Sequence, residues 1–299
     1  MPSYNIASLH AANIRVARTL CSQTLQKGLS NHQMLPLRRD NQTALGNIAP
    51  GKRMSTSAGL SQAVKHSGMN SGRQMKISGL ETYLSEPPAS REDGPKKVIL
   101  YFSDVFGPFF EKSKLLQDYY ASQGYHVLGL DYFHGDPIQN HSGEKGFDRD
   151  AWFAKARKQA EESMSKWFKS VRDIYGPDAK FNAVGYCFGG PYALEAATKD
   201  DFVAAAFAHP TTLNEDNIRK VKRPLLLSCA ETDNTFPAAS RRRAEDILSE
   251  IKATYHVQIF SGVSHGFAVR GDPEVENSRW AKEESARSIV EWFNRFNKG

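Results

Sequence analysis

Cysteine is scarce in this chain: only Cys21, Cys187 and Cys229 occur in 299 residues. Three widely spaced thiols exclude a disulfide framework and fit a reducing, intracellular compartment. No run of 18 apolar residues occurs, so no transmembrane helix and no membrane partner are expected. The same shortage of long apolar segments argues against secretion. No HExxH, paired CxxC or phosphate-binding glycine loop is present, so neither a metal nor a cofactor is predicted. Acids are almost missing from residues 1–79, which hold ten Lys/Arg against the single Asp40. The remaining residues hold 29 basic and 32 acidic side chains, so the overall charge of +6 belongs to the N-terminal segment. A nucleic-acid partner would require a basic, aromatic-laced face on the folded part, and the sequence offers none.

What is present divides into two parts. Residues 1–70 are rich in Ser, Asn, Gln, Ala and Arg and lack sustained periodicity. Within them, 11–25 (AANIRVARTLCSQTL) could form one short basic amphipathic helix. That composition suits a mitochondrial transit peptide. The alternatives are a disordered extension of a cytoplasmic protein, or translation starting at Met54. Residues 71–299 alternate apolar strand-like runs with amphipathic helical ones. Strands are predicted near 75–77, 81–84, 98–102, 126–130, 181–185, 202–208, 224–230 and 255–260. A long helix should begin near Asp148, with Ala160, Met164, Trp167, Phe168, Val171, Ile174 and Tyr175 on one face. Apolar strands separated by helices imply a single α/β domain with a mostly parallel central sheet covered on both faces. Function in such sheets gathers in loops at the carboxyl ends of the strands.

The sharpest local signal is Gly185-Tyr186-Cys187-Phe188-Gly189-Gly190, between an apolar strand and a helix. It matches the G-x-S-x-G nucleophile elbow with Cys in place of Ser. The flanking glycines permit the tight turn, and the following helix turns its N-terminus toward the sulfur, which favours thiolate. Asp233 lies 46 residues later and His265 a further 32, each just after a predicted strand. The order nucleophile, acid, base is that of an α/β-hydrolase triad. Glu231 competes with Asp233 for the acid role but sits closer to the strand. The backbone N–H groups of Val105 and Phe188 are the expected oxyanion hole. Asp104, also after a strand, either steers the thiol's protonation or caps the next helix. His209 ends another strand and is a candidate pocket residue, as is Phe267 beside His265. Cys229 falls within an apolar strand and reads as an inert core thiol. Arg241, Arg242 and Arg243 open a helix and read as a solvated face.

With these residues placed, the sequence resembles the dienelactone hydrolase family in its eukaryotic branch. The resemblance covers about residues 75–299 and rests on DVFG (104–107), LDYFHGDP (130–137), GYCFGG (185–190), AHP (208–210), ETD (231–233) and SHGFAVRGD (264–272). It implies an α/β-hydrolase fold without a large cap domain, a Cys-His-Asp triad, and hydrolysis of enol lactones. Two positions depart from the family pattern. Asp104 stands where bacterial members carry Glu. Val269 stands where they carry Arg, with Arg270 one residue further on.

Thiol chemistry narrows the substrate independently of that resemblance. In a tetrahedral intermediate the thiolate competes with the substrate's own leaving group for expulsion. A thiol has a pKa of about 8.5 and a phenol about 10, whereas an alkoxide leaves far less readily. Enol lactones, aryl esters and thioesters are therefore the expected small-molecule substrates. A glutaminase-like enzyme also places Cys on a strand-to-helix turn but expects His-x-Glu downstream, where this chain has His265-Gly266-Phe267. A non-catalytic thiol redox sensor or binding protein on the same fold is the other reading. Either a monomer or a homodimer fits the sequence.

Overall fold

The computed structural model describes residues 63–91 and 94–298. The segment expected to act as extension or transit peptide lies almost wholly outside them. The described residues 64 and 66 already pack on the folded body: Val64 is buried in the core, and His66 Nε2 lies 2.8 Å from Glu283 Oε1.

The chain opens with a hairpin of β1 (Arg73–Ile77) and β2 (Leu80–Ser85). There follow β3 (Lys97–Phe102), α1 (Glu111–Ser122), β4 (His126–Leu130), α2 (Arg149–Tyr175) and β5 (Lys180–Tyr186). Next come α3 (Gly190–Ala196), β6 (Phe202–Ala208), α4 (Glu215–Arg219), β7 (Leu225–Thr232) and α5 (Ala238–Glu250). The chain ends with β8 (Tyr255–Ser264), α6 (Phe267–Arg270) and α7 (Glu276–Asn297). The strands form one sheet in the order β1-β2-β4-β3-β5-β6-β7-β8. β2 pairs antiparallel with β1 and β4, and every other pairing is parallel. This is the α/β-hydrolase architecture, and no insertion large enough to form a cap interrupts residues 94–298.

The central strands form because Val, Ile, Leu, Phe and Ala run without alternation, which suits a strand buried on both faces. Val98, Ile99, Val127, Leu130, Ala183, Val184 and Ala204–Ala206 are wholly buried. One face is covered by α2, α3 and α5, the other by α1, α6 and α7. Asp148 caps α2 by accepting the Ala151 N–H at 2.9 Å, and Gly176, at φ +82°, ends it. The buried stripe of α2 runs through Ala160, Trp167 and Val171, but Ile174 is 59% exposed. In that last turn Ile174 turns away from the core, while Tyr175, the helix's final residue, packs against it.

The triple arginine also differs from its sequence reading. Arg242 is exposed and Arg243 pairs with Glu215 and Glu250, but Arg241 is buried. Its guanidinium donates to the Ala230 carbonyl at 3.5 Å and lies 3.8 Å from Glu245. An arginine in the first turn of α5 faces the sheet because the amphipathic stripe that buries Ala244 and Leu248 begins there.

Candidate functional site

Cys187 leaves β5 directly into a 3₁₀ turn with φ +48°, the left-handed region. Non-glycine residues rarely hold that conformation, and where they do it concentrates at working sites. Its neighbours leave no room for side chains. A Cβ on Gly185 would lie 2.3 Å from the Gly189 carbonyl oxygen, and one on Gly189 would lie 2.1 Å from the Phe102 carbonyl oxygen. The elbow is therefore a close approach of backbone to backbone, which only glycine allows. The Cys187 carbonyl accepts N–H bonds from Gly190 and, at 2.9 Å, from Thr211. The regular helix that follows is short, only Gly190–Ala196, and starts three residues after the sulfur-bearing residue.

Asp233 and His265 meet because β7 and β8 are parallel neighbours that end together. Thr232 pairs with Ser264, and the His265 N–H donates to the Thr232 carbonyl at 3.1 Å. His265 Nδ1 lies 2.9 Å from Asp233 Oδ2. The other Asp233 oxygen, Oδ1, accepts the N–H groups of Thr235 (2.8 Å) and Phe236 (3.0 Å) and the Thr235 hydroxyl (2.8 Å). The Cys187 thiol acts on the same imidazole, and with Nδ1 committed to the acid, Nε2 is the nitrogen left for it. Burial pushes the His265 imidazole down, but its bonds to Asp233 and Cys187 outweigh this and raise its pKa to about 9. Burial likewise pushes the Asp233 carboxyl up, and the pull of His265 reverses this, leaving it below the ordinary range. Glu231, the competing acid, is exposed and accepts the Gly262 N–H at 2.8 Å, away from the imidazole.

Val105 and Phe188 leave the sheet at the same level, since β3 and β5 pair in parallel with Phe102 opposite Gly185. Asp104, wholly buried, does not cap α1, whose N-cap residue is Phe110. One oxygen accepts the Phe106 N–H at 3.0 Å, and the other pairs with Arg270 Nη1. Burial pushes its carboxyl up, against the pull of Arg270, Phe106 and His265. Arg270 reaches it because Gly266, at φ +96°, turns the chain into α6, which buries Val269 and aims Arg270 back across Phe106 at 4.7 Å. His209 lies edge-on to His265, with ring centroids 5.0 Å apart, and 5.6 Å from Phe267. It is fully buried, and burial holds its pKa well below the ordinary histidine value, so the ring is neutral. The structure thus gathers Cys187, Asp233, His265, Asp104, Arg270, His209 and Phe267 at one edge of the sheet.

Three residues here were not singled out from sequence. Thr235 Oγ1 sits 3.2 Å from His265 Nδ1 and 2.8 Å from both the Pro210 carbonyl oxygen and Asp233 Oδ1, which share its one proton. The Asp-Asn-Thr spacing of a side-chain-to-backbone turn was its available signal. Arg157 and Thr211 contact the elbow from distant parts of the chain and left no local signal. Among the described residues, no three His, Cys, Asp or Glu side chains come together as a metal site, and no helix is long and apolar enough to cross a membrane.

Comparison with known proteins agrees with this fold. The sequence pattern of the dienelactone hydrolase family matches residues 80–297. The chain is 36% identical over 236 residues to dienlactone hydrolase 1 of Gibberella moniliformis, covering 77% of this chain and 89% of that one. It is 33% identical over 247 residues to the hydrolase tropI of Talaromyces stipitatus, covering 79% and 95%. A solved Klebsiella pneumoniae structure assigned to the dienelactone hydrolases superposes with TM-score 0.62 at 16% identity, over 76% of this chain and 99% of that one. That last likeness speaks for the fold alone. The chain belongs to the dienelactone hydrolase family and is a hydrolase of lactone and ester substrates.

Proposed function

We propose that the chain hydrolyses activated esters through a covalent acyl-enzyme on Cys187, with His265 as base and Asp233 orienting it. The observation that carries this reading is the His265 imidazole bonded through Nδ1 to Asp233 at 2.9 Å, beside a cysteine held on a left-handed strand-to-helix turn. With its proton already passed to His265 Nε2, Cys187 Sγ attacks the substrate carbonyl carbon. The carbonyl oxygen becomes an oxyanion received by the N–H groups of Phe188 and Val105. Collapse breaks the bond to the leaving group, which takes the proton back from His265. A water then attacks the thioester, with His265 again removing a proton, and the acid product leaves with Cys187 regenerated. Asp233 holds the ring's tautomer and stabilises the imidazolium.

Because the departing group must compete with a thiolate, the substrates are enol lactones, aryl esters or thioesters rather than alkyl esters. The Asp104–Arg270 pair and His209 pack beside His265. For the N-terminal segment, read from the sequence as residues 1–70, mitochondrial delivery is the proposed role. A panel of matched substrates tests the reaction class. The turnover rate should rise steeply as the leaving-group pKa falls, with phenyl, enol and thiol esters far ahead of ethyl esters. Equal rates for ethyl and phenyl esters would contradict a thiol nucleophile.

A further inference from the structure

An oxyanion hole built from a backbone N–H works only if that peptide cannot rotate. In a trans peptide the C=O and N–H point in opposite directions, so anchoring one fixes the other. The relevant peptide joins Cys187 to Phe188, and its carbonyl accepts the Thr211 N–H at 2.9 Å. The next carbonyl, of Phe188, accepts from Arg157 Nη1 at 2.9 Å. The other arm of the same guanidinium, Nη2, donates to Thr211 Oγ1 at 3.0 Å. The guanidinium carbon also lies over the Phe188 ring, 3.8 Å from its centroid. One side chain, half-buried on α2, therefore grips the elbow directly and also grips the residue that anchors the elbow's first peptide. Such restraint matters because Cys187 sits at φ +48°, a conformation that relaxes unless surroundings hold it.

We propose that Arg157 is a positioning residue for the oxyanion hole: its forked guanidinium, through the Phe188 carbonyl and Thr211, aims the Phe188 N–H at the developing oxyanion. This rests on the reading of Cys187 as nucleophile. Arg157 does not touch the substrate. A lysine cannot replace it, since one ammonium cannot span both acceptors and stack on the ring in fixed geometry.

The test uses the full chain, an aryl ester as substrate, and iodoacetamide as a second probe of the same sulfur. Alkylation by iodoacetamide develops no oxyanion, so it reports the thiol without the hole. In Arg157→Ala the acylation rate should fall about 10–100-fold, somewhat less than deleting an oxyanion donor outright, with KM changed less than about threefold. The alkylation rate of Cys187 should stay within about twofold, and added ethylguanidinium should recover part of the lost acylation. Arg157→Lys should resemble Arg157→Ala. Thr211→Val, which keeps the backbone N–H, should lose about 3–10-fold and add little to Arg157→Ala in the double variant, as expected of groups acting as one unit. Unchanged acylation in Arg157→Ala would overturn the proposal. So would acylation and alkylation falling together with a large drop in Tm, because that marks a residue holding the fold alone. If Arg157→Ala does not fold, Thr211→Val decides by the same split between acylation and alkylation. Wild-type turnover in Cys187→Ala would instead defeat the nucleophile assignment, whatever the Arg157 variants do.

Discussion

Cys187 and Cys229 are the same residue, both buried, and both belong to neighbouring parts of one sheet. Cys229 lies inside β7, flanked by strand residues, and burial pushes its thiol up to about 12. Cys187 lies one residue past the end of β5, on a left-handed turn against the imidazole of His265. A thiol inside a strand faces only packed side chains. A thiol at a strand's carboxyl end faces the loops of every neighbouring strand, and those loops bring Asp233, His265, Asp104 and Thr211. Burial alone therefore does not decide whether a cysteine is inert. The decisive difference is whether the chain stops its ladder at the sulfur, which Gly185 and Gly189 make possible here.

The largest expected effect comes from breaking the elbow side of the comparison. Cys187→Ala should lose at least about 10³-fold in kcat, since the covalent step disappears and only binding and the oxyanion hole remain. Its Tm should stay close to wild type, because Ala fits where Cys fitted. Cys187→Ser should be nearly as inactive, its hydroxyl being far less acidic. Steady-state kinetics alongside thermal melts check both. Wild-type turnover in Cys187→Ala would refute the assignment.

Next in size is the acid. Asp233→Asn should lower kcat about 10²–10⁴-fold with little change in KM, because the amide favours the wrong imidazole tautomer. Glu231→Gln should leave kcat within about twofold, since Glu231 bonds only the Gly262 N–H among the contacts described. A reversed ranking of the two variants would move the acid to Glu231.

The strand side of the comparison breaks differently. Cys229→Ser places a hydroxyl in an apolar strand and should cost about 1–3 kcal/mol of stability. Its kcat should be unchanged, as measured by denaturant titration and steady-state kinetics on the same sample. A loss of activity without loss of stability would mean that Cys229 takes part in the chemistry.

The smallest effect concerns pH. The folded-state pKa of His265, about 9, lies above its unfolded value of about 6.5. Its stabilising contribution is complete below pH 6.5 and is lost as pH rises through 9. His209 is neutral when folded and burdens stability only below pH 6.5; Lys282, lowered to about 8, acts opposite to His265, with stability rising as pH climbs above 8. The difference between wild type and His265→Gln isolates the His265 contribution. Wild-type Tm should fall more between pH 6.5 and 9 than that of the variant; parallel curves would show that the imidazole gains nothing from its partners.

Much of this was legible in the sequence. The central strands were readable because unbroken Val, Leu and Ala runs have few alternatives in a covered parallel sheet. That Cys187, Asp233 and His265 sit at the carboxyl ends of strands was readable because each follows such a run. The last stretch of β8, 261–264 (SGVS), was missed because its residues are mostly polar and are strand only through pairing with the tail of β7. Arg241 was misread because a run of three arginines shows no facing, and facing is set by the helix's angle to the sheet. Asp104 gained its partner only through the turn at Gly266, since Arg270 is 166 residues away in sequence. Arg157 was invisible for the same reason: on a polar helix it looks solvated until the fold lays it against Phe188.

The most direct test is to trap the intermediate. The full chain is mixed with a slowly deacylated aryl ester, quenched in acid within one turnover, digested, and mapped by mass spectrometry. The account predicts one acyl group per chain, on the peptide carrying Cys187, absent in Cys187→Ala and accumulating at the rate of phenolate release. An acyl group on Cys229, or phenolate released in a burst with Cys187 unmodified, would contradict it.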